Sequence, residues 1–217
     1  MNDARRCEIL KRLAALRPNP KSELNWKNPF ELLIAVMLSA QTTDQKVNAV
    51  TPALFERAPN AQALAAMTSE EVEPYIQTLG LFRSKARHAV QTAAILVQKY
   101  EGRVPQDFES LVALPGVGEK TAKVVLNVAF GEPLMAVDTH IFRVAHRTGL
   151  SKAKTPAAVG AFLEKHLPQE VLVNAHHWIL LHGRYCCTAR KPDCAHCPIA
   201  DLCEFKDKDV QQEKPGA

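Results

Sequence analysis

The stretch Leu114–Ala122, LPGVGEKTA, places a proline and two glycines in a tight turn, which a lysine follows. Glycine adopts positive φ without steric cost, and it leaves the backbone uncovered at Gly116 and Gly118. The N–H groups there begin the next helix, where orphan amides and the helix dipole both favour an anion. The turn therefore predicts binding to a DNA phosphodiester without reference to base sequence. The alternative is a plain corner between two helices.

Helical patterns flank this turn and extend along almost the whole chain. Asp107 predicts a short helix leading into Leu114, and EKTAKVVLNVAF predicts a second helix that ends at Phe130. Apolar spacing predicts a first helix over 3–16 and a last long helix over 171–184. Other helices are predicted to begin at Asn28, Thr68, Ser84, Asp138 and Thr155. Sustained period-two patterns are almost absent, so we expect an all-α fold.

Two segments differ from the rest of the chain in composition. FELLIAVMLSA is apolar on most sides, which predicts a central buried helix that ends near Ser39. The C-terminal QQEKPGA is poor in large apolar residues, so we expect it to be disordered.

The overall composition excludes several classes of protein. Hydrophobic residues make up 47% of the 217 residues, which is enough for a core. The net charge of +4 permits a polyanionic partner without requiring one. No run of about 18 apolar residues occurs, so no membrane span is expected. The N-terminus MNDARRCEILKRL lacks the apolar stretch of a signal peptide, and a cytoplasmic protein is expected.

Five of the six cysteines crowd into the stretch 186–203, and Cys7 stands alone. A disulfide framework would spread across the fold and need an oxidising compartment, so a metal site is the better interpretation. Four thiolates can hold zinc or a [4Fe–4S] cluster. Because only Cys194 and Cys197 form a C-x2-C pair, the residues alone favour neither metal. No role is assigned to the histidines His140, His176, His177 and His182.

Lys120 lies in the first turn of the helix after the glycine turn, where the helix dipole disfavours a cation by ~0.3–1 kcal/mol. A bound phosphate would explain this position. The same lysine can act as a nucleophile if partial burial or nearby Lys123 lowers its pKa from about 10.4. Asp138, in AVDTHIF, fits a helix N-cap. A carboxylate near an amine can also accept its proton, and the residues alone leave these roles open.

Three motifs in order resemble the helix-hairpin-helix DNA glycosylases of the endonuclease III type. They are LPGVGEKTA, VDTHIFR and the C-terminal spacing C-x6-C-x2-C-x5-C. The stretches PFELLIAVMLSAQTTD, TLGLFRSKA and HHWILLHGRYCC are also similar to that family, so the resemblance covers nearly the whole chain. The length fits a bacterial member.

The resemblance implies a bifunctional enzyme of base-excision repair, both a DNA glycosylase and an AP lyase. Its partner is double-stranded DNA with a damaged pyrimidine or an abasic site, and the damaged base is flipped out of the stack. Lys120 matches the family's catalytic lysine, which attacks C1′ of the sugar and displaces the base. The Schiff base then permits β-elimination, which cuts the strand 3′ to the lesion. Asp138 matches the carboxylate that helps to activate the amine and stabilises positive charge on the sugar.

The resemblance also implies residues that bind DNA. Gln41 matches a residue that fills the gap left by the flipped nucleotide, and Leu81 matches an apolar wedge placed into the opposite strand. Without the family, Gln41 would be a polar residue at a helix end and Leu81 a core leucine. Further contacts to the DNA backbone are expected from Gly116, Gly118, Arg184, Arg190 and Lys191. For the last two residues, the alternative is a solvated loop.

The family spacing favours a [4Fe–4S] cluster over zinc, with a structural role. Its ligands are expected to be Cys187, Cys194, Cys197 and Cys203. The x6 spacing to Cys194 selects Cys187 over its neighbour Cys186. Neighbouring helix residues point about 100° apart, so only one of this pair can face the cluster unless the helix end unwinds. Cys186 is then a small buried apolar residue or a free thiol.

By resemblance, the fold has two lobes with a DNA cleft between them and ends in the iron–sulfur cluster loop. A helical barrel over 22–132 includes the helix-hairpin-helix at about 107–130, and 1–21 plus 133–217 form the cluster domain. We expect a monomer that associates with the nucleoid through DNA.

Two alternatives remain open. A mismatch adenine glycosylase would lack the nucleophile Lys120 and carry an extra C-terminal domain, and a non-catalytic helix-hairpin-helix DNA-binding module would use neither Lys120 nor Asp138 for chemistry.

Overall fold

The computed structural model describes residues 1–208, which contain helices and turns but no β-strand. The helices are α1 (Asp3–Leu16), α2 (Pro29–Leu38), α3 (Asp44–Arg57), α4 (Ala61–Ala65), α5 (Ser69–Ile76), α6 (Phe82–Tyr100), α7 (Phe108–Val112), α8 (Glu119–Phe130), α9 (Thr139–Thr148), α10 (Pro156–His166) and α11 (Gln169–Tyr185). The all-α prediction is confirmed. Within the same residues, no helix is long and apolar enough to span a bilayer. The QQEKPGA tail, expected to be disordered, lies outside the described residues.

The described chain forms two compact units. One unit is Ser22–Glu132, which contains α2 to α8. The other unit combines Met1–Lys21 with the described chain from Pro133 onward, and it contains α1 and α9 to α11. Each unit is described separately below.

Helix α2 forms the centre of the first unit. Asn28 accepts a hydrogen bond from the N–H of Glu31 (3.0 Å), and Pro29 occupies the first helical position. Every residue from Phe30 to Leu38 is buried. A helix buried on all sides needs apolar residues on all sides, and the prediction of a central buried helix is confirmed.

Most helices begin where the sequence predicts, because their caps are local. Thr68 and Glu71 form the predicted capping box at the start of α5. The side chains of Asp107, Asp138 and Thr155 accept hydrogen bonds from the third residue of α7, α9 and α10.

The start of α6 differs from the prediction. The helix begins at Phe82, two residues before the expected Ser84, since the carbonyl of Leu81 already accepts the N–H of Lys85 (3.0 Å). The sequence patterns also do not single out α3 and α4. Pro52 lies inside α3, and proline lowers helix propensity there.

An apolar core joins all the helices of the second unit. It includes Ile9 of α1, Val144 of α9, Leu163 of α10 and Ile179 of α11, which are fully buried. Ile199, near the chain's C-terminal cysteines, is also fully buried in this core. The cysteine segment is therefore anchored to the unit by apolar packing.

Candidate functional site

The glycine turn lies between α7 and α8 in the first unit and is held by its apolar residues. Leu114 and Val117 are buried, with 3% and 5% of their surface exposed. The hydroxyl of Thr92, on α6, donates a hydrogen bond to the carbonyl oxygen of Pro115 (2.9 Å). The turn is thus fixed from beneath, while Gly116 and Gly118 lie at the surface.

The two glycines serve different purposes. Gly116 has φ of +75°, and a Cβ at this position would lie 2.9 Å from Nδ1 of His88. Gly118 has an extended backbone (φ −89°, ψ 173°), so the positive φ considered for both glycines occurs only at Gly116. A Cβ on Gly118 would meet nothing within 4 Å. Gly118 is the N-cap of α8 and provides no side-chain acceptor for the N–H groups at the start of the helix.

Lys120 is the second residue of α8 and is exposed. The partial burial considered from the sequence is therefore wrong for this lysine. Lys123 lies three residues later on the same helix, at a spacing that places side chains next to each other, and it is half-buried. An exposed amine beside an uncapped helix N-terminus is accessible to a large anionic substrate.

Gln41 and Leu81 share an unusual backbone conformation. Both have positive φ, 57° for Gln41 and 58° for Leu81, in the left-handed region that is costly for residues other than glycine. Both are exposed, and Leu81 has 65% of its surface in solvent. The alternative that Leu81 is a core leucine is therefore wrong. Glu101, which is exposed at the end of α6, has the same conformation (φ 54°), so the strain is compatible with a functional site at Gln41 and Leu81 but does not by itself mark one.

Asp138 is half-buried in the second unit and caps α9. Its Oδ1 accepts a hydrogen bond from the backbone N–H of Ile141 (2.8 Å). This bond fixes the carboxylate at the helix start. The N-cap interpretation is confirmed, and a catalytic role for Asp138 remains a prediction.

The C-terminal cysteines of the second unit line one cavity. The thiols around it belong to Cys186, Cys187, Cys194, Cys197 and Cys203. Cys186 and Cys187 both face the cavity because α11 ends at Tyr185, before either cysteine. The expectation that only one of the pair faces the site holds for a continuous helix, and the helix has ended before this pair.

Two arginines of α9, which the sequence analysis did not identify, hold the loop that follows Cys187. Arg147 donates to the carbonyl of Thr188 (2.6 Å), and its guanidinium also contacts Sγ of Cys187 (3.6 Å). Arg143 donates to the carbonyls of Cys187 (3.0 Å) and Gly183 (2.8 Å). These arginines are four residues apart and share one helix face. That spacing is the signal in the sequence that could have identified them.

Cys186 and Cys197 interact directly. Their sulfurs and a ring nitrogen of buried His182 all lie within 4.8 Å of one another. The hydrogen bond from the Cys186 thiol lowers the pKa of Cys197, and the same bond raises the pKa of Cys186. His182, to which the sequence analysis gave no role, approaches Sγ of Cys197 at 3.8 Å.

The cation-bearing residues near the cysteines lie at the surface of the second unit. Arg190 and Lys191 are exposed on the loop between Cys187 and Cys194, and Arg184 is half-buried in the last turn of α11. The Lys191 carbonyl accepts a hydrogen bond from the hydroxyl of Thr188 (2.6 Å), which shapes the loop.

The donor set fits an iron–sulfur cluster. Thiolates are the protein ligands of such clusters, and N–H donors near their sulfurs stabilise the bound form. Arg147 approaches Sγ of Cys187, and the N–H of Phe205 donates to Sγ of Cys203 (3.5 Å). Five thiols line this cavity, and two of their sulfurs have N–H donors beside them.

Comparisons with known proteins agree with this geometry. The family described as HhH-GPD superfamily base excision DNA repair protein matches residues 34–169. The chain belongs to this superfamily. The iron-sulfur binding domain of endonuclease III matches residues 187–203, a range that begins and ends at predicted cluster ligands.

Individual relatives in the superfamily cover almost the whole chain. Endonuclease III of Escherichia coli strain K12 is 52% identical over 96% of this chain and 99% of the relative. A structure of a trapped covalent intermediate of endonuclease III with DNA, an estranged-adenine complex, has a TM-score of 0.88 at 44% identity. It covers 94% of this chain and 96% of that one. A non-covalent complex of endonuclease III with DNA has the same TM-score at 43% identity and covers 94% and 95%.

Several predictions are confirmed by these findings. The chain is a DNA glycosylase of base excision repair with the all-α endonuclease III fold and a [4Fe–4S] cofactor. It is a DNA-binding enzyme, so the non-catalytic binding module is not supported. The roles of individual residues at the site remain predictions.

Proposed function

We propose that the protein removes oxidised pyrimidines from double-stranded DNA by a lysine Schiff base and cleaves the strand by β-elimination. The nucleophile is Lys120. One observation carries this assignment: Lys120 is exposed in the first turn of α8, next to a helix N-terminus that has no capping side chain. The trapped covalent intermediate of endonuclease III with DNA supports covalent catalysis in this chain as well.

The glycine turn binds the DNA backbone first. Backbone N–H groups at Gly116, Gly118 and the start of α8 donate to a phosphodiester, and the helix dipole favours its charge. The absence of a Cβ at Gly118 allows the phosphate to approach the backbone closely. Because these contacts involve no base edge, they position the duplex without reading its sequence.

Gln41 and Leu81 stabilise the duplex once a nucleotide is flipped out. Gln41 fills the gap in the damaged strand, and the exposed Leu81 side chain enters the opposite strand as an apolar wedge. Their left-handed backbone presents the side chains to solvent before DNA arrives. The strain is thus present in the free protein, and binding need not create it.

The chemistry begins when the neutral Lys120 amine attacks C1′ and the damaged base leaves. A carboxylate can accept the proton that the amine loses, and we assign this role to Asp138. The hydrogen bond that Asp138 accepts from the Ile141 N–H fixes the orientation of the carboxylate. The resulting Schiff base acidifies the neighbouring sugar proton, and its removal breaks the strand 3′ to the lesion.

Cys187, Cys194, Cys197 and Cys203 would hold the [4Fe–4S] cluster, which supplies a structural crosslink and no bond-breaking step. Arg143 and Arg147 position the loop between the first two ligands. The loop in turn presents Arg190 and Lys191 to DNA phosphates, and Arg184 adds a third cation.

We also assign the two units the names that the resemblance implies. The unit Ser22–Glu132 is the helical barrel domain with the helix-hairpin-helix, and the unit that contains α9 to α11 is the cluster domain. The active protein is a cytoplasmic monomer that reaches the nucleoid through DNA. An adenine glycosylase is the weaker candidate because Lys120 provides a nucleophile that such an enzyme does not use.

A duplex with one thymine glycol tests the proposed function. The wild-type protein should release the base and cut the strand, while Lys120→Gln should bind the duplex and do neither. Lys99→Gln, which changes an exposed lysine in the last turn of α6, is the matched control and should remain active. Equal cleavage by Lys120→Gln and the control would refute the assignment.

A further inference from the structure

The fifth cysteine at the cavity, Cys186, has no role in the proposed cluster. Its sulfur nevertheless lies within 4.8 Å of Sγ of Cys197, a proposed ligand. The Cys186 thiol also donates to the carbonyl of Asp193 (3.5 Å), and the N–H of Asp193 donates to the Cys186 carbonyl (3.0 Å). These bonds hold Cys186 beside the ligand segment.

We propose that Cys186 protects Cys197 when the cluster is absent, by forming a reversible disulfide with it. The inference rests on the proposed assignment of Cys197 as a ligand and of Cys186 as a non-ligand. While the cluster is bound, Cys197 is occupied and Cys186 remains a thiol. Loss of the cluster exposes Cys197 to oxidation, and Cys186 is already in contact with it.

The two residues can form the bond without disturbing the core. An S–S bond is about 2.05 Å long, so the two sulfurs must move closer by rotation of their side chains. Cys186 follows the end of α11, and Cys197 lies in a turn outside any helix. Neither cysteine lies inside a helix with helical hydrogen bonds on both sides, so the backbone at both positions can make small movements.

The oxidant is a peroxide, and the disulfide forms in two steps. The Cys197 thiolate attacks a peroxide oxygen, which breaks the O–O bond, releases hydroxide and leaves a sulfenic acid. The Cys186 sulfur then attacks the sulfenic sulfur, the S–O bond breaks, and water leaves with the thiol proton. Two sulfurs are oxidised by two electrons in total and one peroxide is reduced.

The disulfide preserves a ligand that would otherwise be lost. A sulfenic acid with no thiol partner is oxidised further to sulfinic and sulfonic acids, which cellular thiols do not reduce. A partly exposed disulfide, in contrast, exchanges readily with small thiols. Both cysteines are half-buried, so peroxide and reductant can reach them. The ligand set is then ready to receive a new cluster.

The experiment compares purified wild type with Cys186→Ser and the matched control Cys7→Ser, which removes the isolated cysteine. Each holoprotein is first assayed for iron, then freed of the cluster by a chelator under anaerobic reducing conditions. Hydrogen peroxide is added to half of each sample. Free thiols are alkylated, and tryptic peptides are analysed by mass spectrometry without reduction.

In wild type and Cys7→Ser, peroxide should join peptide 185–190 to peptide 191–206, with fragment ions that locate the bond at Cys186 and Cys197. In Cys186→Ser this crosslink should be replaced by sulfinic or sulfonic acid at Cys197. After treatment with a thiol reductant, iron and sulfide, Cys186→Ser should rebuild several-fold less cluster than wild type, as measured by visible absorbance. Without peroxide, both should rebuild it equally.

The possible failures are distinguishable. If fresh Cys186→Ser contains the normal amount of iron and peroxide forms no crosslink in the wild-type protein, this inference alone is overturned. Equal rebuilding by Cys186→Ser and wild type after peroxide would do the same. Missing iron in fresh Cys186→Ser and in a second variant, Cys186→Ala, would make Cys186 a ligand and overturn the proposed register as well.

Discussion

Replacement of Gly116 by alanine tests how the glycine turn is held in shape. Gly116 has φ of +75°, and an L-residue in the left-handed region costs roughly 1–2 kcal/mol. A Cβ would also lie 2.9 Å from Nδ1 and 3.0 Å from Cβ of His88, so the imidazole must shift. Together these effects should lower the free energy of unfolding of Gly116→Ala by about 1–3 kcal/mol.

Gly118→Ala is the matched variant and should behave in the opposite way. The backbone there is extended, and the new Cβ would meet nothing within 4 Å. Alanine is a poorer N-cap than glycine, but it restricts the unfolded chain, so the net change in stability should stay within about 0.5 kcal/mol. The methyl group nevertheless projects where the phosphodiester is proposed to approach. The affinity for duplex DNA should therefore fall several-fold.

Urea denaturation and fluorescence anisotropy with a labelled undamaged duplex measure the two quantities. The account expects a less stable Gly116→Ala and a weakly binding Gly118→Ala of nearly unchanged stability. Binding by Gly118→Ala at wild-type affinity would show that DNA does not approach the start of α8. If Gly116→Ala were as stable as Gly118→Ala, the argument from left-handed strain would be incorrect.

Three further predictions follow from the site. Asp138→Asn should keep its melting temperature, since Asn caps as well as Asp, but its turnover on damaged duplex should fall roughly 100-fold or more. A parallel loss of stability would indicate a capping role alone. Lys191→Ala should reduce the slope of log affinity against log salt by about 0.9, and an unchanged slope would remove this loop from the interface. Cys187→Ser should lose iron while Cys186→Ser retains about four irons per chain, and the reverse result would move the ligand register by one residue.

The local features of the fold could be predicted from the sequence because short-range chemistry determines them. The capping box of Thr68 and Glu71 and the N-cap Asp138 depend on residues three positions apart. The buried helix α2 follows from its apolar composition on all sides. The all-α class required no knowledge of long-range contacts.

Other features depend on packing that the sequence pattern does not contain. The left-handed conformations of Gln41 and Leu81 are unfavourable locally, so only the surrounding structure can impose them. Cys186 faces the cavity because α11 ends at Tyr185, and helix ends are the least predictable part of an amphipathic pattern. Arg147 reaches the cysteine loop across 40 residues of sequence, so its spacing from Arg143 indicates a shared helix face but not what that face contacts.

Trapping of the Schiff base identifies the residue that attacks the sugar. Borohydride reduces the bond between an amine and C1′ and makes the DNA adduct permanent, so the adduct can be located by mass spectrometry of the digested protein. Wild-type protein incubated with damaged duplex should carry the sugar on Lys120. Lys120→Gln should form no adduct, while Lys99→Gln should trap normally. An adduct on any other residue of the wild-type protein, or trapping by Lys120→Gln at wild-type yield, would show that Lys120 is not the nucleophile.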